Sequence, residues 1–156
     1  MTEPFLLSRV LLQFNDDDDV LLGELSATAI DGDGNLWVGS DEYMSVERLS
    51  PAGPCRFDRH RGFDLTDLVE LPKKDQEVDI EGLAYDGGYL WVCGSHSTKR
   101  KKPKGCSVSK DLKPLSKIKK EKNRYLLARL PVEDGRPVRA LNLETAVDRF
   151  AIDSIR

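Results

Sequence analysis

The chain has 156 residues, of which 39% are hydrophobic and 33% are charged, and its formal net charge is −3 at pH 7. This composition is typical of one globular domain and excludes a wholly disordered chain. No stretch approaches the roughly 20 apolar residues of a membrane-spanning helix. No basic segment precedes the short apolar run after Glu3, so neither a membrane span nor a secretory signal is predicted.

The first 24 residues contain an apolar segment at 8–14 and an acidic run at 16–19. The apolar segment is typical of the outer strand of a β-propeller blade, but no blade of its own accompanies it. Four adjacent aspartates repel one another, so the acidic run indicates a solvated turn. A calcium loop is the alternative, although the ligand spacing and the glycine of an EF-hand are missing.

Two later segments, at 29–40 and 84–95, repeat one pattern. Allowing one residue of slippage, both read loosely A-x-D-G-x-G-x-L-W-V-x-S, with Trp37 and Trp91 lying 54 residues apart. The Asp/Gly turn supplies the positive φ that a tight hairpin needs, and Leu-Trp-Val suits a strand packed on both faces. The pattern predicts two equivalent β-hairpins with their tryptophans in the core.

Each predicted hairpin is followed by two more alternating segments, and the pairs Arg48-Leu49 and Arg129-Leu130 occupy equivalent places. Four strands in roughly 50 residues fit one propeller blade. The expected fold is therefore all-β: a partial β-propeller of about two four-stranded antiparallel blades plus an orphan N-terminal strand. A β-sandwich is the alternative, but a sandwich gives no reason for a repeated Leu-Trp-Val hairpin.

The expected organisation is a strand and acidic loop at 1–24, a first blade at 25–78, a second blade at 79–150 with a basic insert at 98–124, and a tail at 151–156. Propellers typically close with about four to eight blades. Two blades are therefore expected to be a fragment of a larger propeller, and missing blades or a second chain are the expected partners that cover the open sides.

The charge is distributed unevenly along the chain. The basic segment, which we define as residues 98–124, has 12 basic and two acidic residues and a charge of +10, whereas the remainder carries −13. Leucine and isoleucine at every third position (Leu112, Leu115 and Ile118) predict a short helix within it. The segment is either a solvated loop or an arm that binds a polyanion, including nucleic acid. Base stacking is not expected, because residues 98–123 contain no aromatic side chain. The predicted polyanion-binding residues are Lys99, Arg100, Lys101, Lys102 and Lys104.

Carboxylates recur where the predicted inner strands begin or their hairpins end. Asp79 and Glu81 are two residues apart, so alternation places both on one face near the central channel. With Asp41 and Glu42 they form a candidate site for Ca²⁺ or Mg²⁺, which prefer oxygen ligands. Structural hydrogen bonding is the alternative role for these side chains.

Two catalytic candidates are Glu81, a member of this acidic set, and His96, which ends the hairpin of the second blade. An unperturbed histidine titrates near pH 6.5, which suits proton transfer. A Ser95–His96 nucleophile pair is not expected, because adjacent strand residues point to opposite faces and no Gly-x-Ser-x-Gly surrounds Ser95.

The three cysteines are Cys55, Cys93 and Cys106, and no two of them form a Cys-x-x-Cys pair. With only two histidines in the chain, neither a zinc cluster nor a disulfide framework is expected. Reduced thiols indicate a cytoplasmic protein.

Several strings resemble the bacterial family called Domain of Unknown Function 3616. They are Leu25-Ser26-Ala27, Leu36-Trp37-Val38, Ser40-Asp41-Glu42, Asp79-Ile80-Glu81-Gly82-Leu83-Ala84, Leu90-Trp91-Val92, Gly94-Ser95-His96-Ser97, Lys99-Arg100-Lys101-Lys102 and Asn123-Arg124-Tyr125-Leu126-Leu127. The resemblance covers about residues 8 to 145. It implies a propeller distantly similar to phytase-like and esterase-like propellers, in a family whose members are longer.

Three functions follow as hypotheses. The first is a propeller-type scaffold or ligand-binding module. The second, by analogy of fold alone, is a metal-assisted phosphoester or ester hydrolase of the phytase-like type. The third is an electrostatic binder of nucleic acid or another polyanion through the basic segment.

Overall fold

The computed structural model describes residues 9–15, 23–73, 76–100, 105, 112 and 115–139. The first sheet has five strands: β1 (Leu11–Leu12), β2 (Leu25–Ile30), β3 (Leu36–Ser40), β4 (Ser45–Pro51) and β5 (Arg56–Asp64). In space they are ordered β1-β5-β4-β3-β2, and β2 to β5 form an antiparallel meander. A one-turn helix, α1 (Leu65–Leu68), follows β5 and begins at Asp64, whose side chain accepts the Thr66 N–H at 2.7 Å.

The second sheet is formed by the chain that follows α1. Its inner strands are β6 (Ile80–Asp86) and β7 (Tyr89–Gly94). A small separate hairpin comes next, made of β8 (Lys99–Arg100) and β9 (Ile118–Lys119). A 3-10 helix (Lys122–Tyr125) then leads into the outer strands, β10 (Leu127–Glu133) and β11 (Arg136–Pro137). The order within the sheet is β11-β10-β7-β6, and all its pairs are antiparallel.

The turns of both Trp hairpins depend on glycine. In the first, Gly34 has φ +81° and donates its N–H to the Asp31 carbonyl oxygen at 3.0 Å. In the second, Gly87 and Gly88 have φ +55° and +85°. These backbone conformations are strained for residues that carry a Cβ, so the Asp/Gly signature identified the turns for a physical reason.

One hydrophobic core lies between the two sheets. The first sheet contributes the side chains of Trp37 and Val46, and the second contributes those of Ile80, Leu90 and Leu130. Trp37 is 0% exposed, whereas Trp91 is 36% exposed on the opposite face of β7 from Leu90. In a sandwich of two opposed layers both tryptophans would point into the shared core. Here Trp37 points toward the second sheet and Trp91 points away from the first, as in successive propeller blades. The expectation of an all-β, propeller-like fold is confirmed.

The N-terminal strand differs from its expected place. The sequence assigned it to no blade, but β1 pairs in parallel with β5, with Leu11 opposite Arg56 and Leu12 opposite Phe57. Asn15 extends the contact, because its side-chain amide donates to the His60 carbonyl oxygen at 2.8 Å. The strand is therefore the fifth of the first sheet.

Other expectations fall only partly on the described residues. Ile118, expected in a short helix, lies in strand β9. The acidic run at 16–19 and the tail at 151–156 lie outside the described residues. So do residues 140–143 of the last alternating segment expected in the second blade, Val138 to Leu143. Within the part of the chain that the structure describes, no helix has the length and apolar character needed to cross a membrane.

Candidate functional site

The most concentrated group of charged side chains lies where β6 begins. Asp79 immediately precedes β6, has φ +58° and is buried. Arg124, in the 3-10 helix, is also buried, and its Nη1 donates to the Asp79 carboxylate. The same nitrogen lies 3.1 Å from Ser97 Oγ and 3.4 Å from Ser95 Oγ. The guanidinium thus links the start of β6 to the chain that follows β7.

Two further carboxylates complete the surroundings of Arg124. Its Nε lies 3.2 Å from Glu121 Oε2, and its Nη2 lies 3.5 Å from Glu77 Oε2. Lys99 donates to Glu77, and Lys119 Nζ lies 2.6 Å from Glu121 Oε1. We call this group the Arg124 cluster, and its members are Glu77, Asp79, Lys99, Lys119, Glu121 and Arg124. Three acids face three bases, so the cluster is electrically neutral.

The pairing changes the ionisation of two members in the expected directions. The hydrogen bond to Glu77 raises the pKa of the Lys99 ammonium above its ordinary value, against the opposing effect of burial. The hydrogen bond from Lys119 lowers the pKa of the Glu121 carboxyl, again against burial. Both shifts favour the charged forms of Lys99 and Glu121.

The backbone around Arg124 is fixed by neighbours on both sides. The Asn123 side chain is buried, and its amide donates to the carbonyl oxygens of Lys73 and Gln76. A Cβ at Gly94 would lie 2.6 Å from the Arg124 carbonyl oxygen and 3.0 Å from that of Val78. Only glycine fits there, and it allows β7 to approach the 3-10 helix closely.

His96 and the serines have separate partners in this arrangement. Ser95 Oγ lies 3.0 Å from Ser97 Oγ, whereas His96 Nε2 lies 3.3 Å from the Leu126 carbonyl oxygen. The imidazole also packs edge-on against Tyr125 at 5.8 Å between ring centroids. Both side chains thus have hydrogen-bond partners within the fold, and a catalytic role for His96 stays a prediction.

The four predicted metal ligands have different surroundings. Asp79 is bound by Arg124, and Glu81 is exposed on β6. Glu42 follows β3 and its N–H donates to Ser40 Oγ at 3.2 Å, while the buried Oδ1 of Asp41 has no hydrogen-bond partner among the described residues. The described residues contain no group of three or more His, Cys, Asp or Glu side chains placed to hold a metal. A cation at Asp79 would compete with the guanidinium, so a Ca²⁺ or Mg²⁺ site stays a prediction.

The predicted polyanion-binding residues are described only in part. Lys99 and Arg100 form β8, where they pair with Lys119 and Ile118 of β9. Lys99 belongs to the Arg124 cluster, and Arg100 Nη1 reaches the Leu115 carbonyl oxygen at 3.5 Å. Lys101, Lys102 and Lys104 lie outside the described residues.

Sequence reasoning identified Asp79 but missed Arg124, its partner. Arg124 is the last residue of the basic segment, so composition alone made it one basic residue among 12. A usable signal was Glu121, because an acid retained inside a run of lysines implies local pairing. The partners Glu77 and Asp79 are more than 40 residues away in sequence, and only the fold brings them to Arg124.

The fold and this cluster define an all-β, propeller-like protein with a neutral ion cluster, centred on the buried Arg124, at the base of a basic segment. The family model described as "Protein of unknown function (DUF3616)" matches residues 24–151. The chain belongs to that family, as the motifs in its sequence implied. No match was found among curated proteins or among solved structures.

Proposed function

We propose that this chain is a propeller-type binding scaffold whose ligand is a polyanion, held by the basic segment. The observation that carries the proposal is the way this segment is attached. Both of its ends meet in the β8–β9 hairpin, and the Arg124 cluster fixes that hairpin to the start of β6. A segment held at both ends presents its charges from a defined place on the scaffold.

Charge pairing divides the basic residues into two groups. Lys99, Lys119 and Arg124 are neutralised within the Arg124 cluster. The remaining described lysines of the segment, Lys117, Lys120 and Lys122, are exposed and form no ion pair with any described residue. The ammonium groups of these three lysines are therefore available to bind phosphate or sulfate groups of a ligand.

The same residues define the kind of ligand. Without an aromatic side chain in residues 98–123, the segment supplies charge but no stacking platform. Binding is therefore electrostatic and indifferent to base sequence. It weakens steeply with salt, because each phosphate contact releases counterions.

Fluorescence anisotropy with a labelled single-stranded oligonucleotide tests this, with heparin as a competitor. We expect binding at low salt that falls as salt rises. Replacing Lys117, Lys120 and Lys122 with Gln should reduce the slope of log K against log salt by about 2, since each single-strand phosphate contact contributes about 0.7.

A matched control is Arg59, Arg136 and Arg139 replaced with Gln, because these exposed residues carry equal charge outside the segment. Equal weakening by both triple variants would show general attraction and contradict a binding role for the segment. So would undetectable binding of the unmodified protein at low salt.

The hydrolase hypothesis stays a prediction without a specific observation in its favour. Its proposed ligand Asp79 is occupied by Arg124, and its proposed acid–base residue His96 is hydrogen-bonded to a backbone carbonyl. The binding scaffold is therefore the function that we propose.

Two finer points belong to this proposal. We infer that the two sheets are copies of one repeated unit, supported by a register irregularity at the same place in each, between Leu25 and Ala27 and between Ile80 and Gly82. We also infer a cytoplasmic location, supported by the free thiols of Cys55 and Cys93.

A further inference from the structure

One face of the second sheet is apolar and uncovered within the described part of the chain. It is the face that points away from the first sheet. Trp91 is 36% exposed there and Leu127 is 40% exposed. The Arg129 guanidinium lies over this face, 4.4 Å from the ring centroid of Tyr89 and 5.7 Å from that of Trp91. We call it the Trp91 face.

The corresponding face of the first sheet has the same pattern of strand pairing. Trp37 lies opposite Ala29 and Arg48, as Trp91 lies opposite Ala84 and Arg129. Directly opposed residues of antiparallel strands share a face. Each sheet therefore presents a tryptophan with a small residue on one side and an arginine on the other.

The structure shows what covers the face of the first sheet that carries Trp37. The second sheet packs on it through β6, and Ser26 donates its hydroxyl to the Ile80 carbonyl oxygen. Ile80 fills the space over Gly39, where a Cβ would lie 2.7 Å from Ile80 Cγ2. Arg48 donates to the carbonyl oxygen of Gly135, in the β10–β11 turn. An inner strand and an outer turn of the next sheet thus complete this face.

The chain itself carries a strand equivalent to β6 with an open side. This strand is β2, which begins with Leu25 as β6 begins with Ile80 and has the same irregularity after its first residue. On the side of the first sheet that faces away from Trp37, β2 is open: Thr28 is exposed and Ile30 is 53% exposed, whereas Val38 and Leu49 on the same face are already 0% exposed. The β4–β5 turn, which corresponds to the β10–β11 turn, presents an exposed Gly53.

We propose that a second copy of this chain docks its β2 strand on the Trp91 face, so that copies associate head to tail. The contact continues the interface already present between the two sheets. Ile30 and Leu25 cover Trp91 and Leu127, and Arg129 turns from the Tyr89 ring to a carbonyl oxygen of the β4–β5 turn. Each copy offers one Trp91 face and one exposed side of β2, so the contact is heterologous and closes into a ring if the rotation allows. Two to four copies would give about four to eight sheets, the usual range for propellers.

Two residues make this contact weaker than the one inside the chain. Cys93 stands where the first sheet has Gly39, so its side chain keeps the incoming β2 strand at a distance. Glu81 stands where the first sheet has Ser26, and a carboxylate cannot donate to a backbone carbonyl oxygen. The expected association is therefore weak, and the variant Cys93→Gly with Glu81→Ser should strengthen it.

Sedimentation velocity over about 1 μM to 1 mM protein measures this association. We expect the sedimentation coefficient of the full chain to rise with concentration, and the Cys93→Gly, Glu81→Ser variant to associate about tenfold more tightly. Leu127→Ser with Arg129→Ala should weaken association at least tenfold, as expected for the loss of an interface anchor. Ile118→Ser with Arg139→Ala removes exposed side chains of the same types elsewhere and should leave the association unchanged.

A mixing experiment separates head-to-tail docking from a symmetric contact. Ile30→Glu removes the β2 side, and Leu127→Ser with Arg129→Ala removes the Trp91 face, so each variant alone should be monomeric. Their equimolar mixture should form a heterodimer, because each variant keeps the face that the other has lost.

The proposal is overturned if both the unmodified chain and the Cys93→Gly, Glu81→Ser variant are monomeric at every concentration. It is also overturned if the Leu127→Ser, Arg129→Ala variant associates as strongly as the unmodified chain, or if the mixture of the two variants stays monomeric. Circular dichroism checks that each variant is folded. If Ile30→Glu does not fold, the Leu127/Arg129 and Cys93/Glu81 variants still decide the outcome.

Discussion

Trp37 and Trp91 occupy the same position in the two sheets but lie in opposite environments. Trp37 is fully buried beneath the second sheet, and its Nε1 donates to Asp31 Oδ2 at 2.9 Å. Trp91 is 36% exposed, and the Arg129 guanidinium lies 5.7 Å from its ring centroid. The local sequence places each tryptophan in a strand and on the same face of its sheet. Whether that face becomes core is decided by the neighbouring sheet.

The difference extends to the acidic residue that begins each turn. Asp31 is buried and also accepts from the Asn35 N–H at 2.8 Å and the Asn35 side-chain amide. Burial raises the pKa of the Asp31 carboxyl, but the hydrogen bonds from Asn35 and Trp37 outweigh it, so the pKa lies below its ordinary value of 3.8. Asp86, its counterpart, is exposed. In the first sheet the turn aspartate and the tryptophan are thus buried together, and in the second sheet both are exposed.

Replacing each tryptophan with alanine should give the largest difference in stability between the two sheets. Trp37→Ala leaves a cavity between the sheets and should lower the free energy of unfolding by about 3–5 kcal/mol. Trp91→Ala removes a side chain that is already partly solvated, and the loss should be about 1 kcal/mol. Urea denaturation followed by circular dichroism measures both. Equal losses would mean that the Trp91 face is covered in the isolated protein.

The two arginines Arg124 and Arg129 give the next contrast, since one is buried among carboxylates and the other lies on aromatic rings. Arg124→Met leaves Asp79 and Glu121 without their buried partner, and the expected loss is about 3–5 kcal/mol. Arg129→Met should cost about 0.5–1 kcal/mol, typical of an exposed cation–π contact.

Arg124→Lys is the control for that pair, because it keeps the charge but loses the planar fork that reaches several partners. We expect its thermal unfolding to fall between the unmodified protein and Arg124→Met. A neutral result for Arg124→Met would show that the cluster does not hold the base of the basic segment.

The smallest expected effect concerns pH. The folded-state pKa of Asp31 is lowered, so its stabilisation is complete above about pH 5 and is lost as pH falls through the folded-state value. Asp31→Asn should cost about 1 kcal/mol at pH 7 and flatten the acid side of the stability profile. Asp86→Asn, at the exposed equivalent position, should leave the free energy of unfolding at pH 7 unchanged. Denaturant midpoints between pH 2 and pH 7 would contradict the prediction if Asp31→Asn followed the unmodified protein.

Much of the fold was predictable because its signals are local. The Asp/Gly turns, the alternation and the repeated Leu-Trp-Val strands specify two hairpins without reference to distant residues. The partner of the N-terminal strand was not predictable, because pairing β1 with β5 depends on which edge is free in space. Ile118 fitted a three-residue spacing, but its pairing with Arg100 across the basic segment places it in a strand.

The candidate site was less predictable for a related reason. Asp79 attracted notice as one of a pair of carboxylates with Glu81, and alternation was expected to place the two together. Asp79 instead lies just outside β6 with a positive φ and turns toward Arg124, whereas Glu81 stays exposed. The alternation of side chains between two faces holds only within a strand, and Asp79 lies one position before β6 begins.

The pairing of β1 with β5 has a consequence for solubility. An unpaired outer strand of nine residues would offer a row of free amide and carbonyl groups to other chains, which is the usual route to aggregation. The short parallel strand covers part of that row, and the tie between Asn15 and His60 keeps it in place. In the second sheet the outer strand, β11, spans two of the described residues and offers little template. The outer edges of the two sheets thus discourage fibre-like growth by strand addition.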